Sequence, residues 1–186
     1  EIKIAQIGCR RDNPDCALST TPVTRDIFEV AKNPDINVVV ELIGGTTTAY
    51  KLVMTALENG KHVVTANKAL IAEHGMEIFS EAESRGLMVC YEAAVAGGIP
   101  IIRSIKEGLI ANKINKIYGI LNGTTNFILS SMEYSRKNFS EVLENAKKLG
   151  YAEVNPVTDL NGDDSAAKLR ILSSIAFNKT ISKNKI

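Results

Sequence analysis

Histidine and cysteine are scarce in this chain, with two and three copies among 186 residues. Cys9, Cys16 and Cys90 are odd in number and scattered, which argues against a disulfide framework and fits a reducing compartment. His62 and His74 form no Cys/His cluster, so a zinc site is not expected. Proton transfer, if the chain performs it, then falls to Lys, Asp, Glu, Ser, Thr or Tyr. Charge of one sign is also lacking. A net charge of +1 gives no electrostatic case for nucleic acid or an anionic membrane. Long hydrophobic runs are absent, and "INVVVELI" is far too short to span a bilayer. Glu1 and Lys3 stand where the apolar part of a signal peptide would have to begin, so a cytoplasmic location is expected.

What is present suits a folded chain. Apolar residues make up 45%, enough for a sizeable core, and the length allows one ordinary domain or two small ones. "IKIAQIG", "INVVVELIGG", "HVVTA" and "LMVCYEA" read as strands. The β-branched run of the second predicts burial on both faces. Between them, "TRDIFEVAKN", "TTAYKLVMTALENG" and "ALIAEHGMEIFSEAESRG" carry helical spacing, the last with a break expected near Gly75. This alternation predicts parallel βαβ units in an α/β fold, a doubly wound, mostly parallel sheet whose ligands bind beyond the carboxyl ends of the strands. After "GGIP" the rhythm changes. "IPIIRSIKEGLI" predicts a helix, "KINKIYGILNGT" a strand, "TNFILSSME" and "SEVLENAKKLG" helices, the second capped by Ser140, and "DDSAAKLRILSSIAF" a last helix.

Five loops carry candidate chemistry. "GGTTT" sets Gly44 and Gly45 at a strand end and Thr46 at a helix start, where backbone N–H groups attract anions; a plain βα turn has the same residues. "GCRRD" places Arg10 and Arg11 after the first strand, where a guanidinium can meet a dinucleotide's 2′-phosphate, or simply face water. "TANK" puts Lys68 beyond a strand, where partial desolvation would make it a better proton carrier than an ordinary exposed lysine. "YEAAVAGGIP" is rich in small residues, as in a ligand-hugging segment or a linker. "NGTTN" offers Gly123, Thr124 and a helix N-terminus to a carboxylate, or only a helix cap.

The densest polar stretch is "GYAEVNPVTDLNGDDSAAKLRIL", residues 150–172. Asn161 and Gly162 signal a turn, and Asp163 or Asp164 is expected to cap the helix that follows. Asp164 and Lys168 are four apart and share a helix face. On a surface such a pair stabilises by roughly 0.3–0.5 kcal/mol. In a dry cleft it would orient the ammonium, with Glu153 and Asp159 left to face a substrate ammonium.

Taken in order, "ELIGG", "VVTANKALIA", "YEAAVAGGIPIIRSI", "GILNGTTNFIL" and residues 150–172 resemble homoserine dehydrogenases over nearly the whole chain. The resemblance implies NAD(P)-dependent interconversion of L-homoserine and L-aspartate 4-semialdehyde, a step toward threonine and methionine, with NADP favoured by Arg10 and Arg11. It places Lys168 as acid/base and Lys68 as a positioning or relay group. Glu153 and Asp164 match substrate-binding carboxylates, Tyr151 and Asp159 lie beside them, and Thr124 matches a substrate contact. Glu92, Val95, Gly97 and Ile99 match positions whose main-chain oxygens hold a sodium-like cation. It further implies a homodimer and two domains: residues 1–98 for the dinucleotide, a Rossmann-like sheet lacking the family's first strand and glycine loop, and residues 99–186, part of an α+β substrate and dimerisation domain. The rival expectation is a catalytically incompetent fragment that only folds, dimerises or binds a ligand.

Overall fold

A computed structural model describes residues 2–11 and 20–186, so Cys16 lies outside the described residues. The chain divides into two compact units, Glu1–Pro100 and Ile101–Ile186.

The first unit alternates strand and helix. β1 (Ile7–Gly8) pairs in parallel with β2 (Val23–Thr24), and α1 (Ile27–Lys32) follows. The Asp26 carboxylate caps α1 by accepting from the Phe28 N–H at 2.9 Å. Glycine lets the end of β1 approach α1 closely, because a Cβ on Gly8 would stand only 3.2 Å from the Ile27 backbone. β3 (Val38–Glu41), α2 (Thr47–Glu58), β4 (His62–Thr65), α3 (Lys68–Ser84) and β5 (Val89–Cys90) complete the unit, with β3, β4 and β5 paired in that order and parallel. Glu41 and Thr65 are register partners at the carboxyl ends of their strands.

Wholly buried Ala31, Ala49 and Ala56 let backbones approach closely, and Val53, Leu57, Val63, Leu70 and Ile78 fill the space between helices and sheet. β3 is not buried on both faces as its sequence predicts. Val39 and Glu41 point into the core, whereas Val38 and Val40 are 45% and 58% exposed. Period-two alternation assigns them to opposite faces, and among the described residues only one face is packed under helices. α3 runs unbroken through Gly75, which packs against the Phe79 ring, and Asn67 caps its start by accepting from the Leu70 N–H.

The second unit begins with α4 (Ile101–Arg103), which widens into a π-type turn over Ser104–Gly108. The strand expected over "KINKIYGILNGT" is absent. Residues 113–122 are in no strand pair, and a strand exists only through a neighbour's hydrogen bonds. α5 (Gly123–Ser135), α6 (Phe139–Lys148), α7 (Val157–Leu160) and α8 (Asp163–Phe177) follow. Ile128, Val142, Ala146 and Ala152 form a small core, against which Phe127 packs while stacked on Tyr151 with ring centroids 4.3 Å apart.

Two caps differ from expectation. Asn138, not Ser140, caps α6, because its side chain precedes the first turn and accepts from the Glu141 N–H at 3.0 Å, whereas Ser140 is already helical. α8 starts from Gly162, whose φ of +85° suits glycine, so Asp163 and Asp164 both fall inside the first turn. There they favour the positive end of the helix dipole.

Candidate functional site

In the second unit, the loop before α5, the short α7 and the start of α8 bring polar side chains to one point. Asp164 is buried and accepts from the Lys168 ammonium at 2.7 Å, one turn along the same helix. Lys168 also donates to the Leu121 carbonyl at 2.8 Å. Next along the chain, Asn122 is buried and donates from Nδ2 to Asp159 Oδ1 at 2.7 Å and to Asp164 Oδ2 at 2.9 Å. The Thr124 hydroxyl donates to the Tyr151 carbonyl at 2.7 Å and stands 3.3 Å from Asp159 Oδ2. The Asp164–Lys168 pair is therefore not the solvated surface pair its spacing also allowed, with Asp164 only 5% exposed. A desolvated ion pair persists only when further hydrogen bonds satisfy its members, which Leu121 and Asn122 supply.

An ammonium carries three donors. Lys168 commits two among the described residues, to Asp164 and Leu121, which leaves one for a ligand oxygen. Asp159 and Asp164 supply negative charge for a ligand cation, and Thr124 adds a hydroxyl between Asp159 and Tyr151. Glu153 and Gly123 are exposed, and Glu153 makes no side-chain hydrogen bond among the described residues. An open groove lined by Gly123, Asn126, Phe127, Ser130 and Tyr151, among others, shares Gly123 and Tyr151 with this set. Beside the cluster, the hydrogen bond from Lys183, at 3.2 Å, and one from Asn161, at 2.7 Å, hold the Asp163 carboxyl below the usual carboxylate range.

In the first unit, the loops after β3 and β4 are tied together. Glu41 is wholly buried; its Oε1 accepts from the Ile43 and Gly44 N–H groups at 2.9 and 3.1 Å, and its Oε2 from the Thr65 hydroxyl at 2.6 Å. Thr65 in turn accepts from the Asn67 N–H at 2.9 Å, and the Asn67 amide donates to the Gly45 carbonyl at 2.7 Å. Gly44 and Gly45 both adopt positive φ and face open space. Thr46 precedes α2 without capping it by its side chain, so the first-turn N–H groups stay available to an anion. Lys68 opens α3 directly after Asn67. Gly44, Gly45, Thr46 and Lys68 thus share one edge of the sheet, at the carboxyl ends of its strands.

Arg10 and Arg11 are exposed after β1. Glu92, Val95, Gly97 and Ile99 lie along one irregular segment: a single 3-10 turn spans Glu92–Ala94, the Glu92 carbonyl accepts from the Val95 N–H, and Ala96 has a φ of 51°. Among the described residues no group of three or more His, Cys, Asp or Glu side chains could hold a metal ion. Tyr91, stacked on Phe79 with centroids 4.8 Å apart, has its hydroxyl pushed up to about 12 by burial and then by the nearby Glu92 charge.

Two residues outside the expected set organise these loops. Glu41 is a single carboxylate at the end of an apolar strand and before two glycines, a signal visible in "INVVVELIGG". Asn122 precedes "GTTN", where an asparagine reads equally as a turn residue or a cap.

The family model described as homoserine dehydrogenase, NAD binding domain, matches residues 1–92, and the model described as homoserine dehydrogenase matches residues 100–186. The homoserine dehydrogenase of Pseudomonas aeruginosa is 61% identical over 176 residues, covering 95% of this chain and 41% of that protein. The crystal structure of a homoserine dehydrogenase from Thiobacillus denitrificans superposes with a TM-score of 0.91 at 50% identity, covering 99% of this chain and 43% of the other. A hyperthermophilic archaeal homoserine dehydrogenase in complex with NADPH superposes with a TM-score of 0.77 at 30% identity, covering 83% of this chain and 48% of the other. The chain spans about two fifths of the length of the curated relatives it matches.

Proposed function

The chain belongs to the homoserine dehydrogenase family, and on that premise we propose that its polar cluster is the substrate and proton-transfer site of an NAD(P)-dependent homoserine dehydrogenase. The reaction is the interconversion of L-aspartate 4-semialdehyde and L-homoserine, in threonine and methionine biosynthesis. The observation that carries this reading is the half-buried Lys168, fixed by Asp164 and the Leu121 carbonyl with one N–H uncommitted among the described residues.

The loops after β3 and β4 suit a dinucleotide, because Gly44 and Gly45 leave open space where a side chain would stand and the α2 N-terminus is uncapped by Thr46. When bound, the nicotinamide supplies or accepts the hydride. Gly44, Gly45, Thr46 and Lys68 hold the cofactor, and exposed Arg10 and Arg11 receive a 2′-phosphate, which favours NADP over NAD. The chain's own residues handle the proton. Reduction of an aldehyde builds negative charge on its oxygen; the Lys168 ammonium stabilises that charge and delivers the proton, and takes it back in the reverse direction. Asp164 keeps the ammonium oriented. Asp159, Asp164 and Glu153 attract the amino acid's ammonium, and Thr124, Gly123 and Tyr151 border it. Lys68 acts as a positioning or relay group. Main-chain oxygens of Glu92, Val95, Gly97 and Ile99 hold a sodium-like cation. A homodimer forms through the second unit, supported by Ile110, Tyr118 and Ile120, which are 80%, 86% and 76% exposed. The setting is the cytoplasm.

The test is NADPH oxidation with aspartate semialdehyde, run on this chain and on a version extended to the length of its relatives. Turnover by the extended version supports the reading. No turnover by it, with NADPH still bound, overturns it. Turnover only after extension assigns the 186-residue chain itself to the second reading, a folding, dimerising or ligand-binding module.

A further inference from the structure

A helix cap needs only the acceptor of an asparagine side chain. In Asn122 that end is used: Oδ1 accepts from the Thr125 N–H at 2.8 Å and from the Thr125 hydroxyl at 2.9 Å. The other end is used too. Its two N–H groups go to two different carboxylates, Asp159 on α7 at 2.7 Å and Asp164 on α8 at 2.9 Å. The side chain is buried, so water does not readily replace these bonds.

Two carboxylates that share a partner repel one another. Lys168 neutralises Asp164 directly but, among the described residues, makes no bond to Asp159. A primary amide is a small neutral group with two donors, so it can bridge two acceptors without adding charge. The peptide that carries Asn122 also begins with the Leu121 carbonyl, the second partner of the Lys168 ammonium. One short segment therefore fixes the ammonium through its backbone and both acids through its side chain.

We propose that Asn122 is a positioning residue for the dehydrogenase site: its amide clamps Asp159 and Asp164 together and so sets the place of the Lys168 ammonium. This rests on the reading given under Proposed function. Ser and Asp cap helices as well as Asn does, but neither offers two N–H donors. Asn122→Ser and Asn122→Asp therefore keep the cap and remove the clamp. Asn138→Ala, which removes the exposed cap of α6, is the control for a purely structural loss.

The experiment measures steady-state NADPH oxidation with aspartate semialdehyde in the extended version, each variant first matched to the parent by circular dichroism. Both Asn122 variants should lower kcat/KM for the aldehyde by about tenfold to a hundredfold, as expected for a misplaced catalytic group, with KM for NADPH unchanged. Asn138→Ala should leave both values at the parental level. Parental kcat/KM in Asn122→Ser overturns the proposal, and that variant decides if Asn122→Asp does not fold. A second readout is independent of turnover: the side-chain carboxyl 13C resonances of Asp159 and Asp164 should both move in Asn122→Ser and stay fixed in Asn138→Ala. A parent without dehydrogenase activity sinks the proposed function, whereas unmoved resonances sink the clamp even in an active parent.

Discussion

Glu41 and Asp164 are both carboxylates that burial would penalise, and each is held by a different solution. Asp164 has an ammonium on its own helix. Glu41 relies on two backbone N–H groups and a hydroxyl. Thr65→Val keeps the shape of the hydroxyl-bearing side chain but removes the donor to Glu41 and the acceptor for Asn67. It should cost about 1–3 kcal/mol, read as a lower urea midpoint with an unchanged slope. Tyr91 gives a pH prediction. Its hydroxyl is pushed up to about 12 in the folded state, by burial first and the Glu92 charge second, from the ordinary value of 10.0. The folded state therefore holds that proton more tightly than the unfolded chain does. The resulting stability is complete below pH 10 and is lost between about 10 and 12. In a tyrosinate absorbance titration, Tyr91→Phe should remove the last step to appear; an unchanged high-pH end would contradict it.

At the scale of elements, β3, β4, α2 and α3 were legible because each repeats its own period and buries its face within the same unit. Leu57 and Leu70 fall where helical spacing puts the core, and both are wholly buried. Leu57→Ala should accordingly cost about 2–5 kcal/mol in chemical unfolding. Residues 113–122 carry a strand-like pattern, yet pairing depends on a neighbour that local sequence does not specify. The caps failed for a nearer reason. Asn138 and Ser140, or Gly162 and Asp163, are equally good candidates by residue type, and only the backbone angle at the first turn separates them. In the candidate site, the Asp164–Lys168 pair was readable from its spacing, but its burial was not. Asn122 and Glu41 act through contacts across tens of positions, as with Asn122 to Asp164, so no local pattern distinguishes them from a turn residue and a strand end.

At the scale of the molecule, each unit has its own core and its own set of polar loops. The first offers glycines and helix starts at the carboxyl ends of parallel strands, which suits a dinucleotide. The second offers an oriented ammonium among carboxylates, which suits an amino-acid aldehyde. The proposed role of Lys168 is to carry the proton. It is tested most directly by kcat for NADPH-dependent reduction of aspartate semialdehyde in Lys168→Ala, made in the extended version and checked for parental secondary structure. A loss of about a hundredfold to ten-thousandfold is predicted, the range for removal of a general acid. A correctly folded variant that keeps most of the parental rate would contradict it.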